Sequence, residues 1–200
     1  MKAAAAPSRA RQPYDLESLL AVVVDVFNER GYDGTSMEDL SRRLGISKSA
    51  IYHHVQGKEE LLRIALDRAL NGLDEIVSEA RALDKPAIDK LEYLIRGSVR
   101  VLQQEHSYVA LLLRVRGSTQ TGRAALDRRR GVDNFVAELV RQAQQDGDFR
   151  TDIDAAITAR LLFGMVNSLA EWYRPTAGSK GDGVADAIAQ IAFDGLRPRR

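Results

Sequence analysis

The chain has 200 residues, 44% of them hydrophobic and 28% charged, the balance of a folded globular protein of one domain or two small ones. Its 29 Lys and Arg against 28 Asp and Glu leave a net charge of +1, so contact with a polyanion has to come from a local patch. The absence of cysteine excludes disulfides, thiolate metal sites, iron–sulfur clusters and a cysteine nucleophile.

Residues 1–14 read as a flexible basic arm carrying Lys2, Arg9 and Arg11. Its apolar run, Ala3 to Ala6, is too short for a signal-peptide core. No stretch nears the 18 apolar residues of a membrane span, and a cytoplasmic protein is expected. Asp15 then caps a helix running to about Arg30. Its apolar positions Leu16, Leu19, Val23 and Phe27 keep the spacing of one helical face, and Gly31 ends it.

The stretch from Gly34 to Leu62 carries the most information. Thr35 or Ser36 can cap a short helix, with Glu38 three residues after Thr35 as a capping box. Met37, Leu40 and Leu44 share one face of that helix, and Gly45 supplies a turn at positive φ. Ser47 caps a second short helix, 48–54, anchored inward by Ile51 and Val55. Two short helices joined by a tight glycine turn make a helix-turn-helix, whose second helix enters the DNA major groove. Ser47, Lys48, Ser49, Tyr52, His53 and His54 are its candidate DNA contacts. Thr35, Ser36 and Lys58 lie at neighbouring helix starts, where a phosphate is favoured.

Further helices follow at 58–83, 87–104, 108–116, 122–146, 152–173 and 183–196, with prolines kept to their boundaries. No run alternates well enough to predict a strand, so the fold expected is all-α with about nine helices. The region from Leu83 to Phe149 should enclose a pocket, with Tyr93, Ser98, Tyr108, Phe135 and Asn167 as candidate liners. Between Arg114 and Arg130 six arginines face Asp127 alone. They form either a solvated surface or an anion cradle, with Arg128, Arg129 and Arg130 as candidate ligand residues. Ile157, Leu161, Met165 and Trp172 recur about every four residues, as do Ile188 and Ile191 on the last helix, and together they are the expected dimer interface.

Other chemistry is set aside. His53 and His54 are adjacent, so they point about 100° apart on a helix and cannot easily share a metal. Gly178 to Gly183 has the composition of a phosphate loop but no preceding strand and the wrong spacing. The acids at 146, 148, 152 and 154 lack the order of a calcium loop, and Asp152 reads as a helix cap. No nucleophile elbow or catalytic set is present, and neither enzyme, cofactor nor metal is expected.

The run GYDGTSMEDLSRRLGISKSAIYHHVQGKEELL resembles the DNA-binding domain of the TetR family of transcriptional regulators. The likeness covers roughly residues 15–62: Phe27 and Gly31-Tyr32, Thr35, Leu40, Gly45-Ile46-Ser47, Tyr52-His53-His54 and Lys58 to Leu61. Ser41 stands where the family usually has Ala, and Gly57 where it has Ser or Asn. The resemblance implies a flexible arm (1–14), a DNA-binding head (15–60) and a ligand-binding and dimerisation body (61–200). It implies a homodimeric repressor on a palindromic operator, released by a small-molecule effector. Residues 163–175 and 188–196 resemble a subset controlling lipid, steroid or aromatic-acid catabolism, which implies an acyl-CoA thioester as effector. The alternatives are a multidrug or hydrophobe sensor of the same fold, and a helical ligand-binding protein that does not bind DNA.

Overall fold

Helix α1 (Leu16–Arg30) starts where the Asp15 carboxylate accepts the Ser18 N–H, and it ends at Gly31, whose φ of 77° is the left-handed region that glycine enters without cost. The computed structural model describes residues 14–174 and 182–198; the predicted arm with Lys2, Arg9 and Arg11, and most of the Gly178 to Gly183 connector, lie outside them. Helices α2 (Met37–Leu44) and α3 (Lys48–Tyr52) follow, turned against one another by Gly45 at φ 66°. Then come α4 (Lys58–Ala82), α5 (Ala87–Gln104), α6 (His106–Arg114), α7 (Gln120–Gln145), α8 (Ala155–Trp172) and α9 (Asp182–Leu196). The described residues form nine helices and no strand, as the hydrophobic spacing predicts.

Several boundaries differ from those the sequence predicts, each for a local reason. The capping box of α2 uses Ser36 and Asp39, not Thr35 and Glu38. Thr35 instead turns inward, donating its hydroxyl to the Gly31 carbonyl at 2.8 Å. Helix α3 stops at Tyr52, short of His54, because the chain must turn to bury Val55. Helix α6 begins two residues earlier than predicted, directly after the break at Glu105. Asp154, rather than Asp152, caps α8 by accepting the N–H groups of Ala156 and Ile157. Asp152 is engaged by Arg150 at 2.6 Å.

The head is α1, α2, α3 and the start of α4 around Phe27, Leu40, Leu44, Ile51 and Leu61, all almost fully buried. In the body α4, α5 and α7 pack on one another, α8 lies on α7, and α9 covers α5 and α8. Helix α6 touches α1, α4, α5 and α8, so it bridges head and body. Helix α4 approaches α5 through two glycines: Gly72 faces Val101, and Gly97 faces Ile76. No described helix is long and apolar enough to cross a membrane.

Candidate nucleic-acid interface and ligand cleft

The outward face of α3 is built by burial of its opposite side. Ile51 is fully buried against the head core, which leaves Tyr52 half exposed and Lys48, Ser49, His53 and His54 in solvent. Ser47 accepts the Ala50 N–H and so fixes the start of the helix, while its hydroxyl lies 2.8 Å from that of Ser49. The Lys48 ammonium reaches Glu38 of α2 at 3.4 Å, an exposed pair that a phosphate could easily displace. Lys48, Ser49, Tyr52, His53 and His54 are therefore all accessible. The aromatic ring and the donors suit a groove of base edges and phosphates.

Of the other four predicted contacts, Ser47 is exposed at the start of α3, and Thr35, Ser36 and Lys58 have structural tasks. Thr35 is buried. Ser36 is exposed, with its hydroxyl on the Asp39 carboxylate at 2.5 Å. That hydroxyl and the Ser36 N–H hold the Asp39 carboxyl below its usual range. The Lys58 ammonium donates to the Tyr32 carbonyl at 2.9 Å and the Thr35 carbonyl at 2.7 Å, and sits 4.2 Å from the Tyr32 ring centroid. It staples the turn between α1 and α2 onto the start of α4.

The body contains a narrow apolar cleft between α5, α6, α7 and α8, with a cavity of about 30 Å³. Ser98 and Asn167 line it, as predicted, together with Val109, Leu112, Val132, Phe163 and Val166. The other three predicted liners lie elsewhere. Tyr93 donates its hydroxyl to Glu79 at 2.6 Å on the outside of α4 and α5. Tyr108 is buried under the Arg68 guanidinium, 4.4 Å from its ring centroid, and Phe135 is covered by Arg81 at 3.9 Å. Burial pushes the Tyr108 hydroxyl above its usual range, against the pull of Arg68.

The three candidate arginines diverge. Arg128 is held by Asp67 at 2.9 Å, Asn71 at 2.9 Å and Asp74, tying α7 to α4. Arg130 is exposed and pairs with Asp127 at 2.5 Å. Only Arg129 of the three lines the cleft, beside Asp133. Part of Asp133 reaches solvent, yet the surrounding protein pushes its carboxyl upward, with Arg129 and Arg160 pulling the other way.

Head and body are joined by polar ties that sequence reasoning missed. Arg68 of α4 pairs with Glu17 of α1 and with Glu105, before α6, at 2.6 Å. Arg114 of α6 donates to the Asn28 carbonyl at 3.2 Å and reaches Glu171 of α8 at 3.4 Å. The Asn28 side-chain amide donates to the Ser107 carbonyl at 2.9 Å. Glu59 accepts the Thr121 N–H at 3.2 Å, which lowers its carboxyl pKa and pins the start of α7 to the start of α4. Partners 51 and 37 residues from Arg68 leave no signal in a linear pattern.

Leu161 and Met165 of α8 and Ile191 of α9 line one apolar depression on the outside of the body. Leu161 is 62% exposed, Ile191 69%, Trp172 60% and Ile157 54%, values unusual for such residues in a monomer. Met165 is half-buried beside them, and Ile188 is turned inward. Among the described residues no cluster of His, Cys, Asp and Glu has the makings of a metal site.

Comparison with known proteins agrees with this geometry. Residues 19–64 match the family described as bacterial regulatory proteins, tetR family, and residues 84–196 match the tetracyclin repressor-like C-terminal domain. The chain is 31% identical over 193 residues to the HTH-type transcriptional repressor KstR2 of Rhodococcus jostii, covering 89% of each. Its fold is similar to SCO3833, a member of the TetR transcriptional regulator family from Streptomyces coelicolor A3, with a TM-score of 0.84, 54% identity and 92% of both chains covered. It is also similar in fold to AibR, solved in complex with isovaleryl coenzyme A and operator DNA, at a TM-score of 0.74 and 23% identity over 88% of this chain and 97% of that one.

Proposed function

The chain belongs to the TetR family of bacterial regulatory proteins, and from that membership we propose that it is a dimeric transcriptional repressor released from DNA by a small-molecule effector. The family is one of regulators, not of enzymes. The observation that carries the reading is the surface of α3 and the turn after it: Lys48, Ser49, Tyr52, His53 and His54 are exposed, while Ile51 locks the other side of the helix. Two heads joined through the α8–α9 faces would meet successive major grooves about 34 Å apart. A repressor acts on the chromosome, which supports a cytoplasmic location. The head is residues 15–60 and the body 61–200, with α4 running unbroken across that boundary.

The effector site is the cleft between α5, α6, α7 and α8. At about 30 Å³ it holds roughly one water, whereas ligand sites span about 300–1,000 Å³. An effector must therefore part the walls, and α6 is one of them. Helix α6 is tied to the end of α1 through Asn28 and to α8 through Arg114 and Glu171. Moving it re-aims the heads, and the widened state releases DNA because it fits the operator spacing less well. The test is a mobility shift on duplexes selected from a random library. A palindromic site bound by one dimer supports the reading; uniform binding to all duplexes, or none, overturns it.

A further inference from the structure

Resting on the reading of the cleft as the effector site, we propose that the effector is an apolar molecule bearing a single carboxylate, and that Arg129 receives it. The Arg129 guanidinium has five N–H donors, yet its one hydrogen bond to the described residues is a 3.4 Å contact with the Leu112 carbonyl. The side chain is half-buried among apolar walls, where a cation so thinly partnered is costly unless an anion arrives. Arg160 brings a second positive charge near Asp133, beside that of Arg129. Ser98 and Asn167 line the same cleft as neutral hydrogen-bonding groups.

The single charge follows from the neighbours. Arg128 has spent its donors on Asp67, Asn71 and Asp74, and Arg130 is paired with Asp127. One planar guanidinium takes one carboxylate in two parallel hydrogen bonds. The run Arg128 to Arg130 builds no cradle for a polyphosphate at this site, so the phosphates of a coenzyme A thioester find no cluster of partners there.

Calorimetry of the full chain against decanoate, 4-butylbenzoate, methyl decanoate and decanoyl-coenzyme A decides. At least one of the two acids should bind, and decanoate should bind at least about tenfold more tightly than its methyl ester, the discrimination of one charge-assisted hydrogen bond or more. In R129Q that margin should vanish, and R129K, checked to melt cooperatively, should recover part of it. Equal binding of acid and ester, no binding of either acid, tighter binding of the thioester than of decanoate, or an undiminished margin in R129Q would each overturn the proposal. A mobility shift without ligand separates the two readings. Loss of operator binding there defeats the repressor reading, whereas a retained operator with any of the overturning results defeats the carboxylate alone.

Discussion

At the scale of single residues, Tyr52 and Lys58 lie close in sequence but act through different physics. Tyr52 stands half exposed on the outer face of α3 with nothing of its own to hold. Tyr52→Ala should weaken operator binding by about 1–3 kcal/mol and relax the preference for one sequence, measured by mobility shift on matched and mismatched duplexes. Lys58 has its ammonium spent on two carbonyls and the Tyr32 ring. Lys58→Met keeps the stem but deletes those bonds, and should cost the head about 1–3 kcal/mol, read as a lower midpoint in thermal unfolding. The slope of operator affinity against salt should stay the same, because no phosphate contact is lost. The outward orientation of Tyr52 was legible in the sequence, since burial of Ile51 dictates which side faces out. The inward turn of Lys58 was not, because its acceptors are backbone carbonyls, which no side-chain pattern marks.

At the scale of elements, the sequence announces helices better than it announces their partners. Helix α5 falls at 87–104 as predicted, because Pro86 and the apolar stripe from Leu91 to Leu102 leave little choice. Which elements form the cleft was legible only in part. Ser98 and Asn167 stood out as polar residues in apolar helices, while the Tyr93 and Tyr108 side chains went to partners on α4 that lie close only after folding. The approach of α4 to α5 is one such long-range fact. A Cβ on Gly97 would sit 2.6 Å from Cγ2 and 2.8 Å from Cδ1 of Ile76, closer than carbon atoms pack. Gly97→Ala should therefore destabilise the body by about 1–3 kcal/mol, seen in denaturant unfolding. The double variant with Ile76→Ala should lose less than the sum of the two single losses, because the residue in the way is then removed.

At the scale of the whole molecule, the exposed apolar residues of α8 and α9 and the narrow cleft bear on the proposed assembly and response. If two copies meet on α8 and α9 as proposed, Leu161→Asp would bury an unpaired charge between them, and sedimentation at micromolar concentration should then give a monomer or unfolded chain in place of the dimer expected of the wild type. The cleft has a consequence in time. With room for roughly one water, the cleft proposed as the effector site admits no effector in the described conformation, so on that proposal entry waits for a rarer, wider state. The measured affinity is then the intrinsic one diminished by the fraction of molecules that are open. The rate of association should rise with effector concentration and then level off at the rate of opening. A cell holding such a protein would sense the duration of an effector pulse as well as its height: a burst shorter than the opening time passes unread, and a sustained supply is acted on.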